Sequence, residues 1–152
     1  MSNQVFNHLD VDKLKEEWRS ANPFPHVVIN NFLVNPSVVE QQFPVATWAE
    51  YVPLGDSYQR NKFSCSSISS IPRDIANVLR GLNEPTFLNV LEVITGIKGL
   101  IPDPYFEGGG LHLSTGGGIL APHTDFHIYA RLNLYRRLNL IIYFNKIGRA
   151  HV

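Results

Sequence analysis

Gly110-Leu111-His112-Leu113-Ser114, then the triplet Gly116-Gly117-Gly118, then Ile119-Leu120-Ala121-Pro122-His123-Thr124-Asp125 is the stretch that decides the fold. It reads as two short strands, Gly110 to Ser114 and Ile119 to Asp125, joined by a tight turn that glycine makes possible. A further strand is predicted from Arg137 to Asn145. There Leu138, Leu140, Ile142 and Phe144 alternate with Asn139, Ile141 and Tyr143, the period-two pattern of a strand that buries one face. Upstream of Gly96 the pattern is helical. Leu14 and Trp18 stand four apart, with Lys13, Lys15, Glu16 and Glu17 on the other face, predicting a helix from Asp10 to Ser20 that Pro23-Phe24-Pro25 ends. His26-Val27-Val28-Ile29-Asn30 reads as a short strand. Asn35-Pro36 opens a second helix to about Phe43. Gln59 to Cys65 reads as a strand, and the serine-rich Ser64 to Ser70 as a loop. Ile75, Val78, Leu79 and Leu82, then Phe87, Leu88, Leu91 and Ile94, predict helices over 72–82 and 85–95, the second closed by Gly96. Helices first and strands after make the expected class α+β, with helices packed on an antiparallel sheet.

The bulk numbers bound what such a fold can do. At 152 residues the chain fits one domain, and 44% hydrophobic with 11% aromatic residues is a globular composition. Thirteen basic residues balance thirteen acidic ones, so no net field favours nucleic acid or an anionic membrane. No apolar run approaches the ~20 residues of a membrane span, and Met1 to His8 lacks the charged and apolar blocks of a signal peptide. Cys65 is the one cysteine, which excludes an intrachain disulfide, suits a reducing compartment, and reads as a small core residue rather than a nucleophile. The expectation is a cytoplasmic protein with neither a nucleic-acid nor a membrane partner.

The chemistry sits in Pro122-His123-Thr124-Asp125-Phe126-His127. Side chains alternate on a strand, so His123, Asp125 and His127 project to one face. An imidazole and a carboxylate two apart supply two-thirds of a 2-His-1-carboxylate triad, whose remaining positions stay open for co-substrate and oxygen. Taken alone, the tripeptide more often marks a solvated strand end, and a His-x-Asp-x-His strand could instead hold zinc by itself. The glycine triplets Gly108 to Gly110 and Gly116 to Gly118 match no phosphate-binding spacing, and tight turns account for them better. Arg136-Arg137 reads as a solvated strand start.

Context shifts that balance. Gly108-Gly109-Gly110-Leu111-His112-Leu113, Gly116-Gly117-Gly118-Ile119-Leu120, Pro122-His123-Thr124-Asp125-Phe126 and Arg136-Arg137-Leu138-Asn139-Leu140-Ile141-Ile142-Tyr143-Phe144-Asn145 together resemble the Fe(II)- and 2-oxoglutarate-dependent oxygenases. Within that family they are similar to the prolyl-4-hydroxylase-like proteins of bacteria and phages, as are Pro23 to Leu33 and Thr95 to Pro104. The resemblance implies helices packed on a double-stranded β-helix, or jelly roll. It implies His123 and Asp125 as the first two iron ligands, with His127 outside the ligand set. It places Tyr143 and Asn139 toward 2-oxoglutarate; for Tyr143, cross-strand packing is an equal alternative. The implied cofactors are Fe(II), 2-oxoglutarate, dioxygen and ascorbate, and the implied reaction hydroxylates an unactivated C–H bond in a peptidyl, amino-acid or sugar-linked substrate.

The family also uses a second histidine and a basic residue further on. Only His151 lies downstream of His127, within Ile147-Gly148-Arg149-Ala150-His151-Val152, the translation of a common sequencing-adapter string. We therefore expect 147–152 to be a non-native tail and 1–146 to be the N-terminal part of one oxygenase domain, its jelly roll incomplete and the piece itself inactive. The alternative is a non-catalytic jelly-roll module that binds a sugar or peptide, its metal lost or structural.

Overall fold

Asp10 starts the first helix from outside it, its Oδ1 accepting the Lys13 N–H at 3.1 Å, so α1 runs Val11–Ser20 with Leu14 as its buried residue. These and all other details come from a computed structural model, which describes residues 4–144; the expected tail at 147–152, and His151 with it, lies outside the described residues. Pro36 at the first helical position opens α2, Pro36–Gln41, although the Asn35 side chain makes no cap bond. α3 covers Arg73–Leu82 and α4 covers Pro85–Thr95, where Gly96 adopts φ 75 and returns its N–H to the Glu92 carbonyl. Ile75, Ala76, Val78 and Leu79 form the buried face of α3, and Ile75 is 0% exposed. They meet Leu33, Val39, Tyr51, Cys65, Ile71 and Leu111 in one core. α1 packs on α4.

Three strands form an antiparallel sheet in the order β1-β2-β3: Val52–Leu54, Gln59–Cys65 and Leu111–Leu120. β1 has no counterpart in the sequence reading. A two-stranded hairpin follows, β4 Ile128–Tyr129 with β5 Leu134–Tyr135. The class is mixed α+β, with short helices and a few antiparallel strands; among the described residues the strands close no barrel.

Four predicted strands come out differently, each for want or choice of a ladder partner. Among the described residues His26 to Asn30 joins no ladder; instead the N-terminal arm bridges Phe6 to Leu33, with the Asn7 N–H on the Phe32 carbonyl at 2.9 Å. The strands expected either side of Gly116-Gly117-Gly118 are a single strand, since both halves pair with β2: Leu111 to Ser114 with Cys65 to Lys62, and Ile119 and Leu120 with Arg60 and Gln59. The triplet is therefore a wide bulge opposite Asn61. Gly117 takes φ 73 there, and the Asn61 side chain donates to the Gly116 carbonyl at 3.1 Å. The segment from Arg137 to Phe144 forms no ladder among the described residues, and its alternation holds only in part: Ile142 and Phe144 pack against the core and Ile141 and Tyr143 are exposed, but Leu140, expected on the buried face, is exposed as well.

His112 in β3 adds a pH-dependent element. Its imidazole titrates below its ordinary value, first because the ring is partly desolvated and second because of the Lys62 charge, against an opposing hydrogen bond with the Gly109 backbone. The unfolded chain thus takes up that proton first. The contribution is complete above the unfolded pKa of about 6.5 and is lost as the pH falls from there through the lower folded value. Much of the side chain stays exposed, so the effect is modest. We expect His112→Gln to lose less thermal stability than wild type between pH 7.5 and pH 5. Equal losses in the two proteins would rule out this role.

Candidate metal centre

Regular pairing of β3 stops at Leu120, and the Ala121 N–H makes the last bond to the β2 side, on the Tyr58 carbonyl at 2.8 Å. Pro122 has no N–H to continue the ladder. Among the described residues the predicted strand through Asp125 therefore joins no ladder beyond Leu120, and it bends at Pro122. Its far end is tied down where the His127 carbonyl accepts the Arg136 N–H at 2.9 Å. The β4–β5 hairpin turns through Asn133, at φ 52, and brings Arg136 back beside Asp125 and Phe126.

Between those anchors His123 and Asp125 face each other, with Nε2 of His123 3.5 Å from Oδ1 of Asp125. The side chains are 43% and 44% exposed, so a small ion or molecule can reach them. The other imidazole nitrogen, Nδ1, is 2.9 Å from the Ala121 carbonyl oxygen. A carbonyl only accepts, so Nδ1 carries a proton, and Nε2 is the ring nitrogen turned to the carboxylate, able to offer a lone pair whenever the ring is neutral. Two lone-pair-bearing atoms at that separation repel unless a cation or a proton lies between them. The far oxygen of Asp125, Oδ2, is engaged elsewhere: it is ion-paired with Arg136 Nη2 at 3.3 Å and accepts from Asn139 Nδ2 at 3.4 Å. Arg136 Nη2 also donates to Asn139 Oδ1 at 3.2 Å, closing a three-residue network.

Phe126 supports this network from below. The Arg136 guanidinium carbon lies 4.9 Å from the Phe126 ring centroid, a cation–π contact. The ring packs on Gly108, where a Cβ would stand 2.8 Å from Phe126 Cε1. Gly108 has φ 70, so the first glycine triplet serves both as a turn and as room for the aromatic that carries Arg136. A shallow hollow of about 350 Å³ opens here, lined by Thr124, Asp125, His127, Arg136 and Asn139 among others.

His123, Asp125 and Asn139 are thus brought together, with Asn139 bonded to the Asp125 carboxylate. His127 lines the hollow, but among the described residues no group of three or more His, Cys, Asp and Glu side chains is gathered as a metal cage. Tyr143 is 66% exposed and does not line the hollow. Arg136, read in the sequence as solvated, has a side chain only 22% exposed and sits inside the site. Nothing local distinguishes it from Arg137; only the hairpin that returns the chain makes it a neighbour of Asp125. No protein-family model, no curated protein and no solved structure matches this chain.

Proposed function

We propose that the chain carries two ligands of an iron centre, His123 and Asp125, in a 2-oxoglutarate-dependent oxygenase of the prolyl-4-hydroxylase-like kind. The observation that carries this reading is the facing pair itself: Nε2 of His123, with its tautomer set by the Ala121 carbonyl, 3.5 Å from Oδ1 of Asp125. A divalent first-row ion holds such donors about 2.0–2.2 Å away, which at a right angle sets them about 3 Å apart. Closing the present gap by about half an ångström would complete the seat. The donor set suits iron, since imidazole and carboxylate make up the facial triad of non-haem Fe(II) oxygenases. When bound, iron with 2-oxoglutarate and dioxygen supplies the oxidising power to hydroxylate an unactivated C–H bond. The chain's own residues hold, orient and leave positions open. The remaining ligand and the cation for 2-oxoglutarate come, in this reading, from outside the described residues. β3 and the alternating segment from Arg137 to Phe144 would belong to a double-stranded β-helix, with Tyr143 available for 2-oxoglutarate and ascorbate as reductant. In this reading the substrate is peptidyl, amino-acid or sugar-linked.

A second reading follows from the same distance. A protonated imidazole and a carboxylate also rest 3.5 Å apart with no metal, as they would in a non-catalytic sugar- or peptide-binding module. Anaerobic addition of Fe(II) and 2-oxoglutarate to the product of the complete reading frame separates the two. The oxygenase gives a weak visible charge-transfer band that needs both additions. Absence of the band, with no change on adding Fe(II), favours the binding module.

A further inference from the structure

Arg136 and Asp125 pose a question that a two-ligand description leaves open, because a cation already lies against the proposed metal-binding carboxylate. Two roles are conceivable for such an arginine. It can compete with the metal as a stand-in cation, or it can hold the carboxylate in the orientation the metal needs. The geometry distinguishes them. Arg136 Nη2 binds Oδ2, the oxygen that Asn139 also holds, whereas Oδ1 is the oxygen that faces His123. A competitor would lie between the two ligands; Arg136 lies on the other side of the carboxylate. Its own position is fixed twice over, by the Asn139 carbonyl oxygen and by the Phe126 ring seated on Gly108.

We propose that Arg136 is a positioning residue which, with Asn139, clamps the outer oxygen of Asp125 so that only Oδ1 is presented beside His123 Nε2. The clamp rests on the iron-centre reading above. With Oδ2 held by the Arg136 charge and the Asn139 amide, Asp125 would offer a metal one oxygen, Oδ1. Asn139 then acts through Asp125 rather than on 2-oxoglutarate. Arg136 Nη2 is ion-paired with Asp125 and donates to Asn139, so the three side chains form one unit, and losing either partner loosens the same oxygen.

Titration of the product of the complete reading frame with Co(II), followed by its visible absorption, tests the clamp without turnover. Arg136→Met keeps the length and removes the donors, and it is expected to weaken Co(II) binding about 10–100-fold, the usual effect of losing a group that orients a metal ligand. Asn139→Ala, at an exposed position, is expected to weaken it in the same direction by less, and Arg136→Lys to recover part of the loss. Because the residues act as one unit, the double variant Arg136→Met with Asn139→Ala should be scarcely weaker than Arg136→Met alone. The thermal midpoints should stay within a few degrees of wild type, which separates positioning from general destabilisation. If Arg136→Met does not fold, Asn139→Ala decides the matter. Unchanged or tighter Co(II) binding in the variants overturns the clamp while leaving the metal site standing. A wild-type protein that binds no Co(II) overturns the metal reading, and the clamp with it.

Discussion

On the iron-centre reading proposed above, Asp125→Ala is expected to abolish 2-oxoglutarate turnover and to reduce Co(II) affinity by at least about 100-fold. In that reading the substitution removes one of the two metal donors the described residues supply. It also removes the ion-pair partner of Arg136 Nη2 at 3.3 Å and the acceptor of Asn139 Nδ2 at 3.4 Å. His123 would keep its bond to Ala121 but lose the group it faces. His123→Ala should match Asp125→Ala in lost activity, whereas His127→Ala should cost no more than a few-fold, because His127 lines the hollow without joining a three-residue cage among the described residues. Initial rates with 2-oxoglutarate for the three variants decide this. Comparable loss at all three positions points to a local His-x-Asp-x-His site and away from the facial pair.

The largest effect on folding is expected at Gly110. Its φ is 86, a conformation that costs an L-residue about 1–2 kcal/mol. Space is the greater problem, since a Cβ there would collide with the Cys65 carbonyl oxygen and stand 3.0 Å from Ser66 Cα. Both obstacles are backbone atoms, and no rotamer change can move them. The next residue, Leu111, is 1% exposed and pairs across the sheet with buried Cys65, so any shift enters the core directly. Gly110→Ala should therefore destabilise the protein by about 3 kcal/mol or more. For a domain of this size that lowers the melting temperature by about 6–12 °C, at about 2–4 °C per kcal/mol. Gly116→Ala is the matched control: an added Cβ there meets nothing within 4 Å, and the melting temperature should barely move. Equal melting temperatures for the two variants would show that the Gly110 backbone yields more readily than its surroundings indicate.

The helices were legible because their signals are local. Asp10, Pro36 and Gly96 mark helix ends through their own side chains or backbone freedom, and the spacing of Ile75, Val78 and Leu79 marks a face without reference to anything distant. β2 was legible for the same reason, yet its partners were not. Whether Gly116-Gly117-Gly118 joins two neighbouring strands or bulges out of one depends on what lies opposite, and Asn61 is more than fifty residues away in the chain. In the site, the closeness of His123 and Asp125 follows from alternation and needs no ladder. Arg136 was not legible, because its place beside Asp125 is made by the turn through Asn133 and by the room that Gly108 leaves for Phe126.

The bulge opposite Asn61 also bears on how the protein behaves in a crowded solution. β3 stands at the edge of its sheet; among the described residues nothing pairs along its far side. An uninterrupted ten-residue edge would offer a second molecule a continuous row of N–H and C=O groups on which to build an intermolecular sheet. Thr115 to Gly118 breaks that row, leaving regular register only over Leu111 to Ser114 on one side and Ile119 to Leu120 on the other. Neither stretch matches the six or seven residues of a typical cross-β segment. Trimming the bulge to restore an even strand would thus lengthen the sheet and, by the same act, expose a template for fibril growth.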